Sequence, residues 1–345
     1  MNNPLPVLAE VRRGTLVEAR HRGSIVVVEP EGRIVAELGD SELVTSTRST
    51  IKPIQCIPVI TSGAADRFRM TGSEIALCCA SHQGEAIHTE AVARILERIG
   101  LDESALMCGP QAPSSDEAAM RLIREGKPAT QLHNNCSGKH AGMLATAVHR
   151  GLPIKDYVDV NHPVQRAIIE VFSRLADLES HLPTAIDGCS APTFGVPLRS
   201  LALAFSRLVD PAFLERLDPD IAKAAARIVE AMIANPEMVG GTKGRFDTDL
   251  LRASSGKLIC KVGAEAVYSV GVLPCDRYPR GLGIAVKIED GNYRGMGPAV
   301  VETLAQLEIL DESELAKLAP YHRTKIDNRR GLIVGEVVTT FTLPL

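Results

Sequence analysis

The chain has no tryptophan, and aromatic residues make up only 3% of its 345 positions. Its net charge is −4, and no basic patch is interleaved with aromatics. That composition offers nothing for nucleic acid to stack on and no electrostatic attraction to phosphates or to an anionic membrane. No apolar run approaches the roughly 18 residues that a membrane-spanning helix needs. The opening stretch MNNPLPVLAEVRRG lacks a charged segment followed by an apolar one, so no secretory signal is expected and the reading is cytoplasmic. Eight cysteines, with Cys78 and Cys79 adjacent, are no disulfide framework; thiols are expected, a subset of which can bind metal. Internal repeats, low-complexity tracts and linkers are also missing.

What is present suffices for a real core, since 45% of residues are hydrophobic and 23% charged. The length suits one large domain or two packed lobes. Residues 14–38 alternate apolar and polar, with turn signals at HRG and PEG, and read as a strand meander. EAIHTEAVARILERIG puts Ile87, Ala91, Ile95 and Ile99 on one helical face. SSDEAAMRLIREGKP has a hydroxyl cap, early acids, late bases and a closing Gly126. HPVQRAIIEVFSRLADL and DPDIAKAAARIVEAMIANP are further amphipathic helices. Strand patterns return in EAVYSVGVLP and RGLGIAVKIEDGNYRG, followed by a helix in GPAVVETLAQL and a last strand in VVTTFTL. Strands at both ends and helices between them predict an α+β fold. An antiparallel sheet built from both termini is covered by helices, with a mostly helical lobe inserted. The expected boundaries are 1–54 plus 241–345 for the sheet-containing lobe and 55–240 for the helical one.

Six stretches combine chemically capable residues. In STRSTIKPIQ, Ser49 and Lys52 are spaced i, i+3 and share a helical face. A serine attacks only when something takes its proton, and a lysine amine can do so where burial or neighbouring cations disfavour the ammonium. Arg48 offers a fixed charge, and Pro53 places Ser49 near a helix start. The competing reading is a solvated cap. CCASHQGEAIH carries Ser81 and His82 before a strong helix; Ser81 there is either a functional hydroxyl or a plain N-cap. HNNCSGKHAGM gathers His133, Asn134, Asn135, Cys136, Ser137, Lys139 and His140, with Gly138 and Gly142 allowing tight turns, and reads as a functional loop. In IDGCSAPTFGVP a turn at Asp187-Gly188 leaves a strand just before Cys189. Cys136 and Cys189 could share a zinc, although neither sits in a Cys-x-x-Cys knuckle, and buried structural thiols are the alternative. GTKGRFDTDLL and GKLICKVGAEAVYSVG complete the set. The second places Lys261 at a strand end before Gly263, either reaching into a cleft or guarding a sheet edge.

Together TRSTIKPIQ, SHQGE, HNNCSGKHAGML, DGCSAPTF and CKVGAE, spread over nearly the whole chain, resemble the Rhizobium etli-type L-asparaginase family. That group stands apart from the threonine-nucleophile bacterial enzymes and the autoprocessed plant-type ones. The resemblance implies a fold similar to serine β-lactamases, penicillin-binding proteins and serine glutaminases. It implies Ser49 as nucleophile, Lys52 as its base, Ser81 as the second active-site serine and Lys261 as the lysine paired with Ser81. Arg48, His82, Asn134, Lys139 and His140 are the expected substrate contacts. It further implies zinc held by Cys136, Lys139 and Cys189, with Asp187 as a water-mediated neighbour, ordering substrate or structure rather than activating water. The expected reaction is hydrolysis of L-asparagine to L-aspartate and ammonia by a homodimer, with no nucleic acid or membrane as partner. The alternatives are a glutaminase of the same fold and a zinc-dependent hydrolase using Cys136 and Cys189.

Overall fold

A computed structural model describes residues 4–179 and 181–345. The chain divides into two compact units. One takes the N-terminal segment to Thr50, Val196–Asp210 and Asp249–Leu345; the other takes Ile51–Gly195 and Pro211–Thr248. In chain order the strands are β1 (Val7–Arg13), β2 (Leu16–Val28), β3 (Ile34–Leu38), β4 (Val44–Ser46), β5 (Thr184–Ile186), β6 (Pro192–Pro197), β7 (Leu258–Gly263), β8 (Val267–Val272), β9 (Leu282–Ile288), β10 (Lys325–Asp327) and β11 (Ile333–Thr339).

The first unit is built on an eight-stranded sheet in the order β10-β11-β1-β2-β9-β8-β7, with β3 also paired to β2. Every pairing is antiparallel, and both chain ends contribute, so the α+β class is as expected. The helix Leu198–Leu208 packs on β2, β8 and β9, with Leu201, Ala202 and Phe205 fully buried. It belongs with the sheet, whereas the sequence alone assigned this stretch to the helical lobe. The helix Tyr293–Gln306 packs on β1, β9 and β11.

The turn read at HRG is absent: residues 21–23 lie inside the 13-residue β2, and the chain turns instead at Gly14, whose φ is +56°. Gly23 serves close approach, since a Cβ there would stand 2.2 Å from the Lys287 carbonyl oxygen on β9. The last strand likewise comes earlier than VVTTFTL suggested, and the helix read from GPAVVETLAQL begins at Tyr293, capped by Asn292. PEG does turn, at Gly32, and Ser115 caps its helix through the Ala118 N–H (3.3 Å).

Glu302 ties the C-terminal elements together. It is bonded to His322 Nε2 at 2.6 Å and accepts from Gln306 Nε2 (2.8 Å) and Thr339 Oγ1 (3.2 Å). The His322 bond, reinforced by those from Gln306 and Thr339 against the effect of burial, lowers its carboxyl to about 2 from the ordinary 4.5. A depressed carboxylate adds stability that is complete above the unfolded value and lost as pH falls through the folded one. Glu302→Gln is therefore expected to destabilise at neutral pH, by a difference from wild type that shrinks by about pH 3 in urea unfolding. A difference of equal size at both pH values would reject the assignment.

Candidate active site

In the second unit the stretch read as the loop HNNCSGKHAGM is mostly helix. Ser137–His149 is helical, and every residue from Ser137 to Ala147 is buried. A helix buried on all sides shows no amphipathic stripe, which is why periodicity failed to mark it. Its glycines are not turn residues. A Cβ on Gly138 would lie 2.3 Å from the Leu77 carbonyl oxygen, and one on Gly142 2.9 Å from Cys78 Sγ. The helix thus runs against Gly72–Cys78 at a distance only glycine allows. Cys136, Lys139 and His140, spaced i, i+3 and i+4, come to one side of it.

Lys52 begins the short helix Lys52–Gln55 and is 1% exposed. Its Nζ donates to the Ala80 carbonyl (2.5 Å), to Ser81 Oγ (3.0 Å) and to Cys136 Sγ (3.1 Å). Ser81 caps no helix. Helix Ala86–Arg98 starts at Glu85, whose N–H is met by His88 Nδ1 at 3.1 Å. Of the face expected there, Ala91, Ile95 and Ile99 are buried but Ile87 is 38% exposed, because His88 takes the inward position. Ser81 is held by its backbone instead, donating to the Val239 carbonyl (3.0 Å) and accepting from Arg245 Nη2 (2.9 Å).

Two thiols and a second amine lie beyond Lys52. Lys139 Nζ donates to Cys189 Sγ at 3.1 Å, and the Cys136 thiol donates to Asn135 Oδ1 at 2.9 Å. Cys189 stands in the tight turn between β5 and β6, where the Asp187 N–H reaches the Ala191 carbonyl (2.9 Å). The neighbouring Cys136, then the Lys139 charge and His140, favour thiolate at Cys189 against its burial. Cys136 is held as thiol by its Cys189 neighbour and by burial. Burial opposes the Lys139 ammonium, but the Cys189 charge and hydrogen bond, with Asp187 adding, raise its pKa nonetheless.

Several of the remaining expected contacts are supports of this cluster. Gly84 N–H donates to His82 Nδ1 (3.1 Å), so Nε2 carries the hydrogen that reaches Ser137 Oγ (2.9 Å). Burial, then the charges of His88 and Lys52, keep His82 neutral. Asn134 donates to the Cys108 and Gly109 carbonyls (2.9 and 3.0 Å) and accepts from Cys136 N–H (2.9 Å). Met107 N–H donates to Tyr157 Oη (3.0 Å), whose own hydrogen goes to His140 Nδ1 (2.6 Å). His140 Nε2–H then has no oxygen or nitrogen partner and interacts with the Cys189 sulfur. Burial lowers His140 to about 4. Tyr157, Cys108 and Arg245 were not singled out from the sequence, because a lone tyrosine, cysteine or arginine carries no local pattern.

The other expected residues lie in the first unit or at its edge. Ser49, partly exposed, is in the 3-10 turn Arg48–Ile51, which runs directly into the Lys52 helix with Pro53 in its first turn. Arg48 has φ +44°, a left-handed conformation that is uncommon outside glycine and concentrates at functional sites. It faces Glu265 at 3.9 Å, and a Cβ on Gly263 would meet Thr50 Cγ2 at 3.0 Å and Arg48 Cβ at 3.3 Å. The turn therefore sits at the end of β7 that carries Lys261. Lys261 is fully buried and donates to the Val262 carbonyl (2.9 Å), so it is no edge-guarding lysine although β7 ends the sheet. Lys257, four residues earlier, is engaged by Glu314 at 2.6 Å.

All eight cysteines are free thiols. Among the described residues no three His, Cys, Asp and Glu side chains are grouped to hold a metal, and no helix is long and apolar enough to cross a membrane. The Cys136, Lys139 and Cys189 donors nevertheless converge, and two sulfurs with one amine are a set that fits a soft divalent ion.

In this site a buried lysine amine is bonded to a serine hydroxyl beside a cluster of two thiols and a second amine. The chain belongs to the L-asparaginase II family, whose sequence model matches residues 9–339. It is an amidohydrolase acting on a small-molecule substrate, as the motifs implied. No functionally curated protein sequence matches it significantly. Among solved structures it is similar to a probable glutaminase from Bacillus subtilis complexed with 6-diazo-5-oxo-L-norleucine, at 15% identity and TM-score 0.40, over 84% of each chain. It is also similar to a Bacillus glutaminase crystallised in 4.3 M NaCl, at 16% identity and TM-score 0.41, over 84% of this chain and 91% of that one. The native form of Mglu gives 16% identity and TM-score 0.42, over 87% of this chain and 68% of that one. Likeness this distant carries no argument about substrate.

Proposed function

We propose that this chain hydrolyses L-asparagine to L-aspartate and ammonia through an acyl-enzyme on Ser49. The observation that carries the reading is the Lys52 amine, buried, bonded to Ser81 Oγ, and one helical turn after Ser49 in the chain. Lys52 in its uncharged form takes the Ser49 hydroxyl proton as Oγ bonds to the side-chain amide carbon. The C–N bond then breaks with that proton passing to nitrogen, so ammonia leaves. Water adds to the ester, and its proton returns to Ser49 through the lysine. Ser81 and the buried Lys261 are proton carriers in this scheme. The decisive experiment measures ammonia release from L-asparagine and L-glutamine by wild type and Ser49→Ala. Glutamine is one methylene longer, a difference worth about 1–3 kcal/mol of discrimination. No turnover of either amide by wild type would end this reading.

One observation favours a second assignment of roles: Lys52 bonds Ser81 Oγ at 3.0 Å, which suits Ser81 as the attacking hydroxyl. Trapping with 5-diazo-4-oxo-L-norvaline, a reactive asparagine analogue, followed by peptide mapping, separates the two. Label on Ser49 supports the first assignment and label on Ser81 the second.

We further propose that zinc is held by Cys136, Lys139 and Cys189, with Asp187 reached through water. When bound it would supply a fixed positive charge that orders the substrate's polar groups. Cys189→Ser is expected to lower zinc per protomer in metal analysis and to raise KM more than it lowers kcat. Collapse of kcat at constant KM would place the metal in the chemical step.

A further inference from the structure

Arg245 holds one corner of the site, and nothing in the mechanism above uses it. It lies on a glycine-rich strap, Gly240-Gly241-Thr242-Lys243-Gly244-Arg245, that folds back on the segment Ser81–Glu85. The strap is anchored on two sides. Thr242 donates through its N–H (3.3 Å) and its Oγ1 (3.1 Å) to the Glu85 carboxylate. Gly241 N–H donates to Thr248 Oγ1 (3.2 Å), whose hydroxyl is within reach of both the Pro236 and Gly241 carbonyls. Thus anchored, the strap sends the Arg245 guanidinium to the Ser81 carbonyl oxygen (2.9 Å), on the residue whose hydroxyl meets Lys52.

The charge balance there is uneven. Arg245 is partly buried and spends only Nη2 on the protein, with no carboxylate paired to it among the described residues. Lys52 also has no carboxylate partner, its three bonds going to a carbonyl, a hydroxyl and a sulfur. His82 and His88, the ionisable rings nearest Arg245, are both shifted towards the neutral form, by burial first. Glu85, the nearest acid on the packed segment, is engaged by Thr242. Two basic side chains therefore flank Ser81, and neither is paired with a carboxylate among the described residues. A guanidinium with open N–H groups in a fixed fork is the side chain best matched to a carboxylate.

We propose that Arg245 binds the α-carboxylate of the amino-acid substrate while its bond to the Ser81 carbonyl keeps that serine in place. The proposal rests on the amino-acid amidohydrolase reading above, and it gives a specificity role to a residue of the GTKGRFDTDLL stretch that had none. A substrate lacking the α-carboxylate would gain nothing from Arg245.

The test compares wild type, Arg245→Gln and Arg245→Lys on L-asparagine and on 3-aminopropanamide, which is asparagine without its α-carboxyl group. Arg245→Gln is expected to raise KM for asparagine about tenfold or more with a smaller change in kcat, and Arg245→Lys to fall between. Cleavage of 3-aminopropanamide is expected to fall much less than that of asparagine, by only the part that the Ser81 bond contributes. Equal losses on both amides, or a kcat loss at unchanged KM, would overturn carboxylate binding and leave Arg245 a support of Ser81. L-Aspartate titrated calorimetrically into each protein decides the matter independently of turnover. Weaker binding to Arg245→Gln, with melting temperature kept, supports the assignment even where wild type proves inactive on asparagine; equal binding rejects it. An inactive wild type would defeat the asparaginase reading alone.

Discussion

Replacing Ser49 by alanine is expected to lower kcat for L-asparagine by at least about 10³-fold while leaving the melting temperature unchanged. The effect is large because the hydroxyl is the atom that forms the acyl bond; removing it leaves only binding and any direct attack by water. The fold should be indifferent, since Ser49 is partly exposed at the start of a turn and only one oxygen is lost. Lys52→Met is expected to match the kinetic loss but to cost stability as well. It strips a donor from the Ala80 carbonyl, Ser81 Oγ and Cys136 Sγ in a buried place, and orphaned buried acceptors cost about 1–3 kcal/mol each. Should Ser49→Ala keep near-wild-type turnover while Ser81→Ala loses it, the hydroxyl on Lys52 in the structure is the nucleophile and Ser49 is a neighbour.

Gly138→Ala is expected to destabilise by about 2–4 kcal/mol, net of the roughly 1 kcal/mol that alanine gains over glycine inside a helix. The added methyl would meet the Leu77 carbonyl at 2.3 Å and Leu77 Cγ at 2.7 Å, both rigidly held, so the helix Ser137–His149 would have to move off Gly72–Cys78. That motion separates Cys136 from Lys52, so activity should fall with stability. Gly142→Ala meets Cys78 Sγ at 2.9 Å, the end of a side chain that can rotate, and should cost less. Gly188→Ala, with nothing within 4 Å of its new carbon, is the neutral comparison. Urea unfolding of the three variants checks the order, and a Gly138→Ala protein as stable as wild type would show that the two helices do not run this close.

Elements whose cause is local were legible before any coordinates. The Ser115 cap, the Gly32 turn and the Asp187-Gly188 turn each depend on residues a few positions apart. The site residues were legible as types, through the five stretches that together resembled one family. What misled were residues whose reason is distant. Gly23 and Gly138 look like turn residues, yet each is required by a backbone from another part of the chain. Ser81 looks like a cap, yet its neighbours are Lys52, Val239 and Arg245, up to 164 positions away.

By itself, then, the amino-acid order determined the α+β class and the membership in an amidohydrolase family, and it named the candidate side chains. Those follow from periodicity, composition and motif, all readable along a line. Only the tertiary structure decided which of them are bonded to one another: Lys52 with Ser81 and Cys136, Lys139 with Cys189, and Arg245 on Ser81. A hydrogen bond is a matter of distance between atoms, and close packing sets that distance between segments that the sequence leaves far apart.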